Sequence, residues 1–127
     1  MEFDRFVAKG WGYEKWIVNS ALYCGKILHF VKGRKCSLHY HKLKTETFYV
    51  LFGRISIVCG DSKEIEKNID FGLNPMAGLS VKILEAGDYF LIVPGLAHMI
   101  EAEMDSEIIE FSTQHFEEDS YRILKGD

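Results

Sequence analysis

An all-β fold, an antiparallel sandwich or barrel, is what this sequence predicts, on two observations. Short runs rich in β-branched and aromatic residues recur along the chain, and clusters of glycine, proline, asparagine or charged residues separate them. Many short strands at such spacing build two-layered or closed antiparallel sheets. The first runs are Trp16-Ile17-Val18 and Tyr23 through Val31, closed by Gly33. Cys36 through His41 and Thr47 through Leu51 follow, the latter ending at Gly53. Ile55 through Cys59 stops at Gly60-Asp61, and the stretch from Asp61 to Ser80, with Asn74-Pro75 and Gly78, reads as a surface excursion. Val81 through Leu84, Tyr89 through Val93, His98 through Ala102 and Glu107 through Ser112 complete the set, punctuated by Gly87-Asp88, Pro94-Gly95 and Asp105-Ser106. The tail from His115 to Asp127 is polar, with a short helical turn expected near Glu117-Glu118-Asp119.

Composition fits one globular domain over residues 1–127. A chain of this length buries roughly two-thirds of its unfolded surface, enough for one core. Hydrophobic residues make up 47% and charged residues 27%. A net charge of −4 argues against a nucleic-acid partner, which calls for a basic face. No apolar run approaches the ~20 residues of a membrane span, and the Met1-Glu2-Phe3-Asp4-Arg5 start lacks the apolar segment of a signal peptide. Cys24, Cys36 and Cys59 are odd in number and form no CxxC pair, so free thiols and a cytoplasmic location are expected. Cys36 is expected on the strand face opposite His39 and His41.

The chemistry concentrates in His39-Tyr40-His41-Lys42-Leu43-Lys44-Thr45-Glu46 and in His98, which follows the Pro94-Gly95 turn. A strand points alternate side chains to one face, so His39 and His41 project together, with Ser37. Glu46 can fold back to meet them, and its parity carries Phe48, Val50 and Phe52 inward. The opposite set, Thr47, Tyr49 and Leu51, is also largely apolar and needs a cover of its own, another sheet or a partner subunit. Three imidazoles and a carboxylate suit a divalent transition metal, and manganese, iron, zinc and nickel all accept such a set.

From Gly33 through His39, His41 and Glu46 to Gly53 the spacing is G-x5-H-x-H-x4-E-x6-G, which resembles the first motif of the cupin superfamily. The stretch from Gly87 through Gly95 to His98 resembles its second motif, with Val93 where a proline is usual, Pro94 one position late, and Ala102 in place of an asparagine. The resemblance covers about half of the chain. It implies a double-stranded β-barrel, or jelly roll, with His39, His41, Glu46 and His98 as metal ligands, and it favours a homodimer.

Lys44 makes the first motif H-x-H-x-x-K-x-E, and Ile109-Glu110-Phe111-Ser112 puts a carboxylate in an apolar strand. Both resemble features of the metal-dependent cupin sugar isomerases, especially the D-lyxose and mannose isomerase type. Trp11-Gly12-Tyr13 is similar to a stretch of the phosphomannose isomerase cupin domain. The likeness implies an aldose–ketose isomerase of a sugar or sugar phosphate working through an enediol. Glu110 would then move the proton and Lys44 assist. Apolar neighbours such as Ile108 and Ile109 would raise the Glu110 pKa towards neutrality. The segment 111–122 also resembles the tail of small cupins among sugar and nucleotide-sugar enzymes, where Gln114, His115, Tyr121 and Arg122 could bind hydroxyls or a phosphate. No basic residues cluster around the ligands in sequence, which weighs against a phosphorylated substrate. The competing readings are an iron-dependent oxygenase, which needs no inward base on the last strand, and a non-catalytic carbohydrate- or metal-binding cupin.

Overall fold

Alternation of side chains along the strands sorts this chain into two sheets that face each other across one core. The computed structural model of the protein describes residues 5–127. Its elements are β1 (Arg5–Lys9), β2 (Gly12–Asn19), β3 (Cys24–Phe30), β4 (Leu38–Tyr40), β5 (Glu46–Phe52) and β6 (Arg54–Asp61), then helix α1 (Ser62–Asp70). There follow β7 (Ser80–Glu85), β8 (Tyr89–Ile92), β9 (Leu96–Ala102), β10 (Ser106–Ser112), a 3-10 turn (Glu117–Asp119) and β11 (Tyr121–Leu124). One sheet has the order β1-β2-β3-β10-β5-β8 and the other β11-β4-β9-β6-β7, with antiparallel pairing throughout. The expected all-β jelly roll is the fold.

The register stacks the interior in rungs. In the first sheet Glu110 stands opposite Lys26 and Phe48, Ile108 opposite Leu28 and Val50, and Ser106 opposite Phe30. In the second, His98 stands opposite His39 and Cys59, Ile100 opposite Ile57, and Ala102 opposite Ile55. One end of the barrel is therefore an aliphatic plug, with Val50, Ile55, Ile57 and Ile108 fully buried. The other end carries the polar and ionisable groups. Strands held by the plug present those groups from a rigid base, which is what a site of fixed geometry requires.

Three features depart from the expectation. β1 and β11 were not expected: β1 is largely exposed and shows no alternating pattern, and β11 is a four-residue edge strand in a polar tail. The excursion after Asp61 begins as helix α1, capped by the Asp61 carboxylate, which accepts from the Lys63 N–H at 2.8 Å. Its one deeply buried apolar side chain, Ile65, lies near Gly60 on the outer face of the second sheet, as does Leu79. Phe52, expected inside, is 44% exposed, because a bulge at Leu51 breaks the β5–β10 register. The expected turn at Glu117–Asp119 is present as 3-10 helix. Among the described residues no helix is long and apolar enough to cross a membrane.

Candidate metal centre and cavity

Above the aliphatic plug lies a cavity of about 600 Å³ whose walls include His39, His41, Lys44, Glu46, His98 and Glu110. The two facing sheets share the work. β4 and β9 bring His39 and His98 side by side, and Glu46 opens β5 across from them. One ligating atom from each of His39, His41 and His98 lies within 4.8 Å of the others.

The backbone fixes which ring nitrogens face the cavity. His39 Nδ1 lies 2.9 Å from the Ser37 carbonyl, His41 Nδ1 2.8 Å from the Asp119 carbonyl, and His98 Nδ1 3.0 Å from the Leu96 carbonyl. A carbonyl only accepts, so each Nδ1 carries the hydrogen and each Nε2 keeps its lone pair for the cavity. Burial, reinforced by the neighbouring His98 and His41 imidazoles, pushes the His39 pKa well below its ordinary range, so that ring stays neutral. Glu46 Oε2 sits 3.3 Å from Nε2 of both His41 and His98. With the hydrogens on Nδ1, these atoms present lone pairs to one another, and Glu46 Oε2 and His98 Nε2 have no hydrogen-bond partner. Orphaned acceptors in a buried site are costly unless a cation lies between them. Three imidazole nitrogens with a carboxylate oxygen beside them fit a divalent transition metal.

Lys44 and Glu110 meet beside this centre. Lys44, 3% exposed, extends its ammonium to within 3.1 Å of Glu110 Oε2 and 3.4 Å of Glu46 Oε1. Burial opposes its charge, but the Glu110 and Glu46 carboxylates outweigh burial and hold the Lys44 pKa above its usual value. Glu110 is 4% exposed and also accepts from the Ser112 hydroxyl at 2.9 Å. Its surroundings are thus an ion pair and a hydroxyl rather than the apolar walls expected. Lys44 Nζ also lies 3.1 Å from His115 Nδ1. An ammonium only donates, so His115 accepts there, and burial followed by the Lys26 and Lys44 charges lowers its pKa to about 3.

Of the tail residues, His115 and Arg122 line the cavity, whereas Tyr121 stacks on Tyr40 with ring centroids 5.2 Å apart. Gln114 is half-buried and does not line the cavity. Trp11 packs on Phe30 in the core, centroids 4.1 Å apart. Cys36 corrects the sequence reading: it lines the same cavity as His39. The pairing with β9 slips by one residue between Lys35–Glu101 and His39–His98, which defeats the parity argument. Its thiol accepts from the Ile100 N–H at 3.2 Å, and burial pushes its pKa up to about 12, which leaves it inert. All three cysteines are free and buried.

Sequence reasoning missed Asp119, Lys26 and the basic rim. The Asp119 carboxylate accepts from the backbone N–H groups of Lys42, Leu43 and Lys44 at 2.9–3.1 Å, bracing the loop that carries Lys44. Lys26 is 3% exposed, its ammonium 3.9 Å from the Trp16 ring centre. Arg5, Lys9, Arg122 and Lys125 also line the cavity, gathered from the two ends of the described chain, so no run of sequence shows them together.

The protein-family model described as Cupin matches residues 27–122. Comparison with curated proteins gives no match. Among solved structures the chain is similar to the capsular polysaccharide assembling protein CapF from Staphylococcus aureus, with 16% identity and a TM-score of 0.74, covering 94% of this chain and 34% of that one. It is similar to oxalate decarboxylase from Bacillus subtilis at 19% identity and a TM-score of 0.75, covering 94% of this chain and 30% of that one. The formate complex of Lactobacillus farciminis oxalate decarboxylase gives 16% identity and a TM-score of 0.73, with 94% and 34% covered. This chain therefore spans about a third of the length of those proteins. At such identities the likeness is one of fold.

Proposed function

The chain belongs to the cupin family, and on that premise we propose that it is a metal-dependent isomerase interconverting an aldose and a ketose. The observation that carries the reading is the buried Lys44–Glu110 pair sharing a cavity with the three histidines and Glu46. An oxygenase needs no base on β10, and a binding module needs no charged pair held out of water.

His39, His41, His98 and Glu46 would hold the ion, of manganese, iron, zinc or nickel. When bound, it supplies Lewis acidity to the carbonyl and the neighbouring hydroxyl of the sugar. Glu110 accepts the proton from C2 and returns it to C1, while the hydroxyl proton of O2 passes to O1, so that an enediol lies between aldose and ketose. Lys44, 3.1 Å from Glu110, donates to a substrate oxygen as negative charge grows there. His115 accepts from the same ammonium and so helps to aim it. The aliphatic plug keeps water from the far side of the cavity.

The working form we infer is a homodimer. Tyr49, Tyr89, Leu91 and Phe111 lie on the outer face of the first sheet, all exposed and adjacent in register, and a second copy would cover them. The three free thiols suit a cytoplasmic setting.

Protein purified without added metal is analysed for its ion, then screened against aldoses in deuterated water. Glu110→Gln is expected to retain metal and fold and to lose exchange of the C2 proton by about a hundredfold or more. Full exchange in that variant, or no ketose and no exchange in the unaltered protein, refutes the reading.

A further inference from the structure

Arg122 lines the cavity without a partner. It stands directly across from His39 in the β4–β11 ladder, so its side chain leaves the strand on the same face as the histidine. Among the described residues its guanidinium makes no hydrogen bond or ion pair, although it offers five donors. Four of the five acidic side chains of the cavity have partners elsewhere, and the fifth, Glu117, is largely exposed. Glu46 and Glu110 share Lys44. Glu14 accepts from Trp16 Nε1 at 2.8 Å and lies 3.8 Å from Lys26. Asp127 accepts from the Lys35 N–H, and Glu117 lies 3.8 Å from His115.

The charge balance points the same way. The whole chain has 15 basic against 19 acidic residues. The cavity is less acidic than the chain, because Arg5, Lys9, Lys26, Lys44, Arg122 and Lys125 stand against Glu14, Glu46, Glu110, Glu117 and Asp127. The Arg5 guanidinium lies 4.9 Å from the centre of the Trp16 ring, on the same wall. Arg5, Lys9, Arg122 and Lys125 group cations from the two ends of the described residues on this cavity, and such a group draws anions. An exposed, unpaired arginine is suited to grip a phosphate or carboxylate by two parallel N–H···O bonds.

We propose that Arg122 anchors an anion-binding subsite at the mouth of the cavity, and that the sugar carries a phosphate or carboxylate group seated there. The assignment of a sugar rests on the isomerase reading; the anion subsite rests on Arg122. The test is calorimetric binding to the metal-loaded full chain of three probes: mannose, mannose 6-phosphate and mannuronate. At least one anionic probe is expected to bind about tenfold or more tightly than mannose. Arg122→Ala should erase that preference, read as the ratio of anionic-probe to mannose affinity, and Arg122→Lys should retain part of it. Lys67→Ala, which removes an exposed cation on α1, should change nothing. Which anion gains identifies phosphate or carboxylate as the group recognised. Equal binding of all three probes, or a preference that survives Arg122→Ala, overturns the proposal. Anion preference without any ketose formation refutes the isomerase reading and leaves the subsite standing. Ketose formed from mannose with no anion preference does the reverse.

Discussion

Asp119 uses its two acceptor groups on two different tasks. Its carbonyl holds the hydrogen of His41 on Nδ1, while its carboxylate takes the N–H groups of Lys42, Leu43 and Lys44. Asp119→Ala keeps the carbonyl and strips the carboxylate, leaving those N–H groups short of a partner at a cost of about 2–4 kcal/mol. Urea unfolding should show that loss, and metal affinity should fall by about tenfold as the loop bearing His41 and Lys44 loosens. An unfolding midpoint unchanged from the parent protein would mean the loop is braced by other contacts. At this scale the sequence was legible where a strand is regular. The parity of His39 and His41, and of Glu46, Phe48 and Val50, needed only the two-residue period. It was illegible where closure of the barrel decides. Nothing in Glu117-Glu118-Asp119 says which acid turns inward, and a one-residue slip put Cys36 in the cavity against its parity.

Gly33 and Gly53 bracket the first motif, and the fold uses them differently. Gly33 has φ +81 with open space where a Cβ would stand. Gly53, at the β5–β6 turn, has φ +96, and a Cβ there would meet the Ser106 side chain and the Asp105 carbonyl oxygen, the latter at 2.6 Å. Gly33→Ala is therefore expected to cost only the left-handed backbone term, about 1–2 kcal/mol. Gly53→Ala adds a clash with the start of β10 and should cost about 3 kcal/mol or more. Thermal melts of the two variants check this, and equal losses would show that the Ser106 strand gives way freely. Strands that alternate or carry aliphatic runs were readable. β1 and β11 were not, because edge strands with exposed side chains gain their conformation from backbone pairing rather than from a pattern. Helix α1 left a trace, Asp61 three residues before Glu64 at a strand end, but buries too few apolar side chains to show a period.

For the molecule as a whole, the plug accounts for the fold, and the uncovered apolar face of the first sheet is the surface on which the proposed dimer rests. Tyr49 and Phe111 are 36% and 56% exposed on a sheet whose other side is core. If a second copy covers this face, Phe111→Asp should yield a monomer by sedimentation velocity, with the metal centre intact because Phe111 points away from the cavity. A dimer of unchanged dissociation constant would exclude this surface. An exposed apolar outer face was legible from β5, apolar on both parities. One consequence reaches back to how the protein is made. Two of the three imidazoles take their orientation from carbonyls two residues earlier in the chain, Ser37 for His39 and Leu96 for His98. The third waits for Asp119, far downstream. A chain still leaving the ribosome can set the first two rings in order of synthesis, yet His41 stays unaimed until the segment carrying Asp119 has been made and docks. An ion held by these residues would meet three aimed imidazoles only once the Asp119 segment has docked against His41.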